Sequence, residues 1–304
     1  MPVGWAHMPD VAMPAVIGLS AAIMGATWLL FRRVTLTRPP IGVIGLGDVA
    51  FVVVIVVFLP FLYLAVPPFV AALILLIVMT SILAVICGAV LPGRLGLAVA
   101  IALAAADVAV SMTAGGSDLA LVVNDVVVGL AIVGVANLWA QAGMRAAHLA
   151  VLAAGLTVYD IVATSVMTQT GELMERLAGL PFAAIIAWPS GAPGEWLGIG
   201  VGDLLVASTF AIVFRKAYGR TAGLVAAASA IGCIALLLVL ANMRVFSGTF
   251  PVMVILGPVV IVEFLLWRSR RGPERTMQRY LTEEPLRGVR VVAPVIFDPL
   301  SAPR

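Results

Sequence analysis

Two short stretches, Tyr159-Asp160 and Gly200-Val201-Gly202-Asp203, each place one carboxylate inside a hydrophobic run long enough to cross a bilayer. A charge at the bilayer centre costs about 3 kcal/mol on insertion scales, so an intramembrane acid is a functional candidate. Asp160 and Asp203 lie 43 residues apart, on consecutive runs. Two carboxylates brought together across neighbouring helices can share one proton. The ionised member then takes a proton from water as that water attacks a peptide carbonyl. The neutral member hydrogen-bonds to the developing oxyanion and later helps to protonate the leaving nitrogen. This is the chemistry of an aspartic protease, and it needs no metal and no organic cofactor. Gly198, Gly200 and Gly202 precede Asp203 at alternate positions. Without a Cβ they let backbone approach backbone and loosen a helix, so that an extended substrate can lie beside it.

The elements that must hold this pair follow from composition. The 304 residues are 62% hydrophobic and 11% charged, with a strongly positive mean hydropathy, well outside the range of soluble globular proteins. The expected fold class is an all-α polytopic membrane protein. The net charge of +3 is small and most basic residues sit in loops and the C-terminal tail, which reads as membrane topology and argues against nucleic-acid binding. Cys87 and Cys233 both lie inside apolar runs, against a disulfide framework. Arginine outnumbers lysine 17 to 1, with abundant Ala, Val and Gly. That bias points to a GC-rich prokaryotic genome and hence to a prokaryotic plasma membrane.

Nine apolar runs can be read. They cover about 11–31, 45–66, a third from the Pro67-Pro68 break to Val90, 95–112, 119–138, 146–167, 197–216, 221–243 and 250–267. Each is near the roughly 20 residues that a helix needs to span the hydrocarbon core. The first has no basic residue before it and Arg32-Arg33 after it, the reverse of a secretory signal, and reads as a retained span. Nine spans put the termini on opposite sides. The loops after odd-numbered spans, with the tail, hold 16 of the 18 basic residues, while the other side has only Arg176 and Arg244 together with Asp10, Asp118, Glu172, Glu175 and Glu195. The N-terminus is therefore expected outside and the C-terminus in the cytoplasm. Residues 1–145 read as scaffold helices 1–5, residues 146–267 as catalytic helices 6–9, and residues 268–304 as a polar, only partly ordered cytoplasmic tail.

Both aspartates sit at matching depth, roughly 10 Å below the outer surface at helical rise. Other acids compete with them. Asp48 repeats the Gly-x-Gly-Asp pattern at the cytoplasmic start of span 2, too far in depth to join the pair, and reads as an acid at a helix start. Asp107 in span 4 and Asp125 in span 5 match each other in depth. They read as structural or proton-relay groups, with Asn124 and Ser111 as their hydrogen-bond partners. Glu263, near the inner end of span 9, is expected to snorkel toward water. His7 and His148 lack partners at metal-ligand spacing. The loop from Thr168 to Trp196 could supply a strand or lid, its apolar stretch from Leu180 to Trp188 lying in the membrane interface.

At Tyr159-Asp160 and Gly200-Val201-Gly202-Asp203 the chain resembles the presenilin and signal peptide peptidase family of intramembrane aspartyl proteases. That family has nine spans, with Tyr-Asp in the sixth, Gly-x-Gly-Asp in the seventh and Pro-Ala-Leu opening the ninth. The resemblance covers the span count and the order and placement of both aspartate motifs. The third motif departs, because this chain has Pro251-Val252-Met253 there. The resemblance implies a presenilin-like bundle in which Asp160 and Asp203 are catalytic. Tyr159, Gly200, Gly202, Pro251, Val252 and Met253 then line the substrate cleft.

The partners so implied are transmembrane-helix or signal-peptide substrates in a lipid bilayer, with no obligate partner subunit; a homo-oligomer stays open. Two rivals remain at this stage. A prepilin-type aspartyl peptidase would have fewer spans, a cytoplasmic site and a lysine shortly after the aspartate, where this chain has Leu204 and Leu205. A proton-coupled transporter would show repeated halves, and no such repeat is visible.

Overall fold

The computed structural model describes residues 11–35, 43–166, 181–189, 196–243, 251–283 and 290–291. His7, Asp10, Arg38, Glu172, Glu175, Arg176, Glu195, Arg244 and Phe250 lie outside the described residues, as does most of the tail beyond Glu283. Among the described residues are nine helices of 18 or more residues: α1 Ala12–Arg33, α2 Leu46–Ala65, α3 Pro68–Val90, α4 Arg94–Ala114, α5 Asp118–Gln141, α6 Ala146–Val166, α7 Val201–Tyr218, α8 Arg220–Asn242 and α9 Met253–Arg271. Each falls on one of the nine apolar runs. Six of them, α1, α3, α4, α5, α6 and α8, are long and apolar enough to cross a membrane by length and composition. The helices α7 and α9 each carry three or more charged residues.

The breaks between helices have local causes. Pro68 opens α3 at a position where its missing N–H has no intrahelical acceptor to lose. The Ser117 hydroxyl accepts the Ala120 N–H at 3.2 Å and caps α5. Gly219, at φ 99°, makes the one-residue turn from α7 to α8 in a conformation that disfavours any side chain.

The helix at the centre is α7. From Leu204 to Tyr218 every residue but Leu205 is buried, and its neighbours are α1, α5 and α8. A helix apolar on all sides belongs in a core. The helix α6 packs against α9 and α2 and also meets α7.

The structure refines three expectations. The seventh helix begins at Val201, not near Leu197, because residues 196–200 form a strand instead. Strand β2, Ile185–Pro189, pairs antiparallel with β3, Trp196–Gly200, and β3 runs directly into α7. Glycines at 198 and 200 disfavour a helical backbone there. Secondly, the apolar part of the loop packs within the bundle. Phe182, Ile186 and Ala187 are buried, with β2 packed on α1 and α5.

Thirdly, the start of the tail is folded. After α9, residues 272–276 lead into a short helix α10, Met277–Glu283, whose Tyr280 is fully buried. Glu274 accepts the Ala146 N–H at the start of α6 at 2.6 Å. Arg275 donates to the carbonyls of Lys216 and Arg215 at the end of α7. The Tyr280 ring lies 5.4 Å from that of Phe31 in α1, and its hydroxyl meets Arg215 at 3.2 Å. Lys216, the single lysine, donates to the Ala140 and Met144 carbonyls at the end of α5. A second contact adds to these, a parallel pairing of Val34–Thr35 with Arg290–Val291. The arginine-rich ends of several helices are thus gathered at one end of the bundle.

Candidate active site

The pair of aspartates lies at the other end. Asp160 is 14 residues along α6 from Ala146 and Asp203 is 12 residues before Arg215 in α7, about 20 Å from the docked tail at helical rise. Asp203 is the third residue of α7 and half-buried; Tyr159 and Asp160 are half-buried as well. The two aspartates stand close enough for the charge of Asp160 to act on Asp203.

The backbone N–H groups of Val252 and Met253 lie beside the Asp203 carboxylate. These residues open α9, and the N–H groups of a first helical turn have no intrahelical acceptor. Directed at a carboxylate, they form an anion-holding nest at a helix N-terminus. This explains why Val252 and Met253 can stand where Ala-Leu occurs in the resembled motif. The contact to Asp203 is made by main chain, while the two side chains are buried in the protein at 1% and 2% exposure. Pro251 precedes them, half-buried, its carbonyl accepting from Val254 at 3.4 Å.

A seam between α6 and α9 fixes this arrangement. The Thr157 hydroxyl reaches the Met253 carbonyl at 3.0 Å and its own helix at Ala153 at 2.7 Å. Opposite it is Gly257, where a Cβ would lie 1.8 Å from Thr157 Oγ1. Asp160 follows Thr157 by three residues, so the seam ties the helix of one aspartate to the backbone donors of the other. Sequence reasoning did not single out Thr157 or Gly257. The signal was a glycine before Pro258 on one span and a threonine three residues before the aspartate on another.

The glycines before Asp203 differ in their roles. A Cβ on Gly200 would stand 3.0 Å from Asp203 Oδ2, close enough that the carboxylate would have to shift by a few tenths of an ångström. A Cβ on Gly198 would strike Ile185 and the Ile186 carbonyl at 2.8 Å, so that glycine permits the strand pairing. Gly202 is exposed and a Cβ there meets nothing within 4 Å.

The other acids are placed apart from this group. Asp48 accepts the Gly45 N–H at 2.7 Å, reaching back to the start of its own helix as in a capping box. It lines a cleft of about 180 Å³ with Trp139, Ala142 and Met144 at the basic end. Asp107 and Asp125 are not satisfied by Asn124 and Ser111 as expected. Asp107 accepts the Phe182 N–H at 2.7 Å and Asp125 the Ala187 N–H at 3.0 Å. The Asn124 amide donates in turn to the carbonyls of Ala183 and Ile185. All three hold the segment before α7. Glu263 is 8% exposed and bonded to the Ser229 hydroxyl across α8 and α9, buried where a snorkelling side chain was expected. His148 accepts the Arg145 N–H at 3.4 Å at the start of α6.

No protein-family model matches the chain, and no curated protein matches it. Among solved structures it matches a presenilin family intramembrane aspartate protease, crystallised in space group C222. The two are 19% identical with a TM-score of 0.53, and the match covers 85% of this chain and 98% of that one. With six helices long and apolar enough to cross a membrane, the chain is an integral membrane protein that has the fold of a presenilin-family intramembrane aspartate protease.

Proposed function

We propose that the chain is an intramembrane aspartyl protease that hydrolyses peptide bonds within transmembrane segments or remnant signal peptides. The observation that carries this reading is the meeting of Asp160, Asp203 and the Val252–Met253 N–H pair at one end of the bundle. The chain's presenilin-family fold supports it. One carboxyl is neutral and one ionised. The ionised carboxylate removes a proton from water as the water attacks the scissile carbonyl. The neutral carboxyl hydrogen-bonds to the oxyanion and supplies the leaving nitrogen's proton. Two N–H donors on Asp203 orient it and offset its burial.

A peptide bond must leave its helix before water can reach it. Strand β3 leads straight into Asp203, and an extended substrate can add a strand beside Gly198–Gly200. All nine helices are read as spans, with residues 1–145 as scaffold, 146–267 as the catalytic half and the C-terminus in the cytoplasm. That orientation is the one associated with signal peptide peptidase, and it favours substrates whose N-terminus is cytoplasmic.

The test is cleavage of a synthetic single-span peptide by purified protein in proteoliposomes, with Asp203→Ala alongside. Cleavage by the wild type that the variant lacks supports the reading. Equal product from both, or from neither, removes it.

A further inference from the structure

Residues 182–189 are held by three polar side chains that the chemistry of the aspartate pair does not use. Strand β2 pairs with β3 through Ile186 and Ile199, and the Val201 N–H donates to the Ala184 carbonyl at 3.1 Å. Alternation along the strand then turns the polar groups of Ile185 and Ala187 away from β3. They meet α5. Asn124 donates to the Ile185 carbonyl at 2.9 Å, and Asp125 accepts the Ala187 N–H at 3.0 Å. One turn before β2, Asp107 of α4 accepts the N–H of Phe182. Phe182 has φ 58°, a left-handed conformation that is rare for a bulky residue. Such strain persists where the surroundings over-determine it, and it is concentrated at functional sites.

These side chains are costly where they are. Asp107, Asn124 and Asp125 are 0%, 5% and 8% exposed, and one oxygen each of Asp107 and Asn124 has no hydrogen-bond partner among the described residues. Burying acids at membrane depth to hold one short strand is poor economy for stability alone. The geometry gives them another use. A β-hairpin has two edges, and an edge with open N–H and C=O groups accepts any extended segment. Asn124 and Asp125 occupy the Ile185 carbonyl and the Ala187 N–H on the β2 edge. The polar groups of Trp196, Gly198 and Gly200 in β3, which alternate with those facing β2, point away from β2, and β3 runs directly into the helix whose third residue is Asp203.

We propose that Asn124 and Asp125, with Asp107 behind them, are positioning residues that block the far edge of the β2–β3 hairpin and set the register in which substrate pairs with β3. This rests on the protease reading, but the mount itself can be measured without cleavage. A one-residue slip in register exchanges which side chains face the aspartates, so the mount governs which bond is cut.

The test compares Asp125→Leu, similar in size but with no acceptor, with Asp125→Asn, which keeps a carbonyl to accept the Ala187 N–H. Residue-resolved hydrogen exchange in micelles should show the Ala187 amide of Asp125→Leu exchanging about tenfold faster, the loss of one hydrogen bond's protection. The Ile186 and Trp188 amides, which face β3, should change less. In cleavage assays Asp125→Leu should raise KM about tenfold with a smaller change in kcat, and product masses should spread to neighbouring bonds. Asp125→Asn should restore both. A merely structural role would lower stability without moving the cleavage position. Should Asp125→Leu fail to fold, Asn124→Ala, which leaves only carbonyls unpaired, should produce the same spread. Unchanged Ala187 exchange, or wild-type cleavage positions with wild-type KM in a folded variant, overturns the proposal. Where the wild type cuts no substrate the protease reading fails, and hydrogen exchange alone decides whether the mount exists.

Discussion

The α6–α9 seam is a sharp place to test the packing that presents the Val252–Met253 donors to Asp203. In Gly257→Ala the new methyl falls 1.8 Å from Thr157 Oγ1, 3.1 Å from the Ala153 carbonyl and 3.2 Å from Thr157 Cβ. An ordinary contact is about 3.5 Å, so either the helices part by more than an ångström or Thr157 rotates away from the Met253 carbonyl. Overpacking of this kind costs roughly 1–3 kcal/mol, and the lost hydrogen bond adds about 1 kcal/mol. A loss of about 3 kcal/mol lowers Tm by roughly 6–12 °C for a chain of this class. Thr157→Ala alone should cost about 1 kcal/mol. Combined, the two should not add, because the alanine at 157 removes the atom that the methyl at 257 strikes. The double variant should therefore be more stable than Gly257→Ala by itself. Thermal unfolding in micelles, followed by tryptophan fluorescence, reads all four proteins. A double variant as unstable as the sum of its parts would refute the close approach of α6 and α9.

Three further outcomes are expected. Gly200→Ala should cut kcat by about tenfold to a hundredfold, because its methyl lies 3.0 Å from Asp203 Oδ2 and displaces it; Gly202→Ala, with open space around it, should leave Tm unchanged and alter KM only. In the docked tail, the hydrogen bonds from Arg275 and Arg279 hold the Glu283 carboxyl below its ordinary value. Its contribution is present above the usual glutamate pKa of about 4.3 and is lost as pH falls through the lowered value, so the Tm difference between wild type and Glu283→Gln should be constant at neutral pH and close in acid. Paired single-span reporters of opposite orientation should be cut preferentially when the N-terminus is cytoplasmic, and preference for the other would reverse the proposed topology.

Much of the arrangement was legible in the sequence because hydrophobic length and the spacing of charges are one-dimensional signals. The nine apolar runs became nine helices among the described residues, and Asp160 and Asp203 lie at one end while Asp48 lies at the other. What escaped was long-range. Nothing local marks Asp107 and Asp125 as acceptors for the Phe182 and Ala187 N–H groups, more than 60 residues away. Residues 197–200 are apolar enough to extend a helix, and the pairing with Ile185–Trp188, added to the poor helix propensity of Gly198 and Gly200, makes them a strand. The docking of Tyr280 depends on Phe31, Arg215 and Trp28 converging from other helices, which a polar, proline-rich tail does not announce.

The central claim is that Asp160 and Asp203 act as one unit, and a single panel tests it most directly. Wild type, Asp160→Asn, Asp203→Asn, the double variant and Asp48→Asn would be reconstituted in proteoliposomes with one single-span substrate and their rates compared. Residues that act together are lost together, so each single variant at 160 or 203 should match the double at background. Asp48→Asn should retain most of the wild-type rate. Substantial cleavage by Asp160→Asn, or a dead Asp48→Asn beside it, would contradict the account.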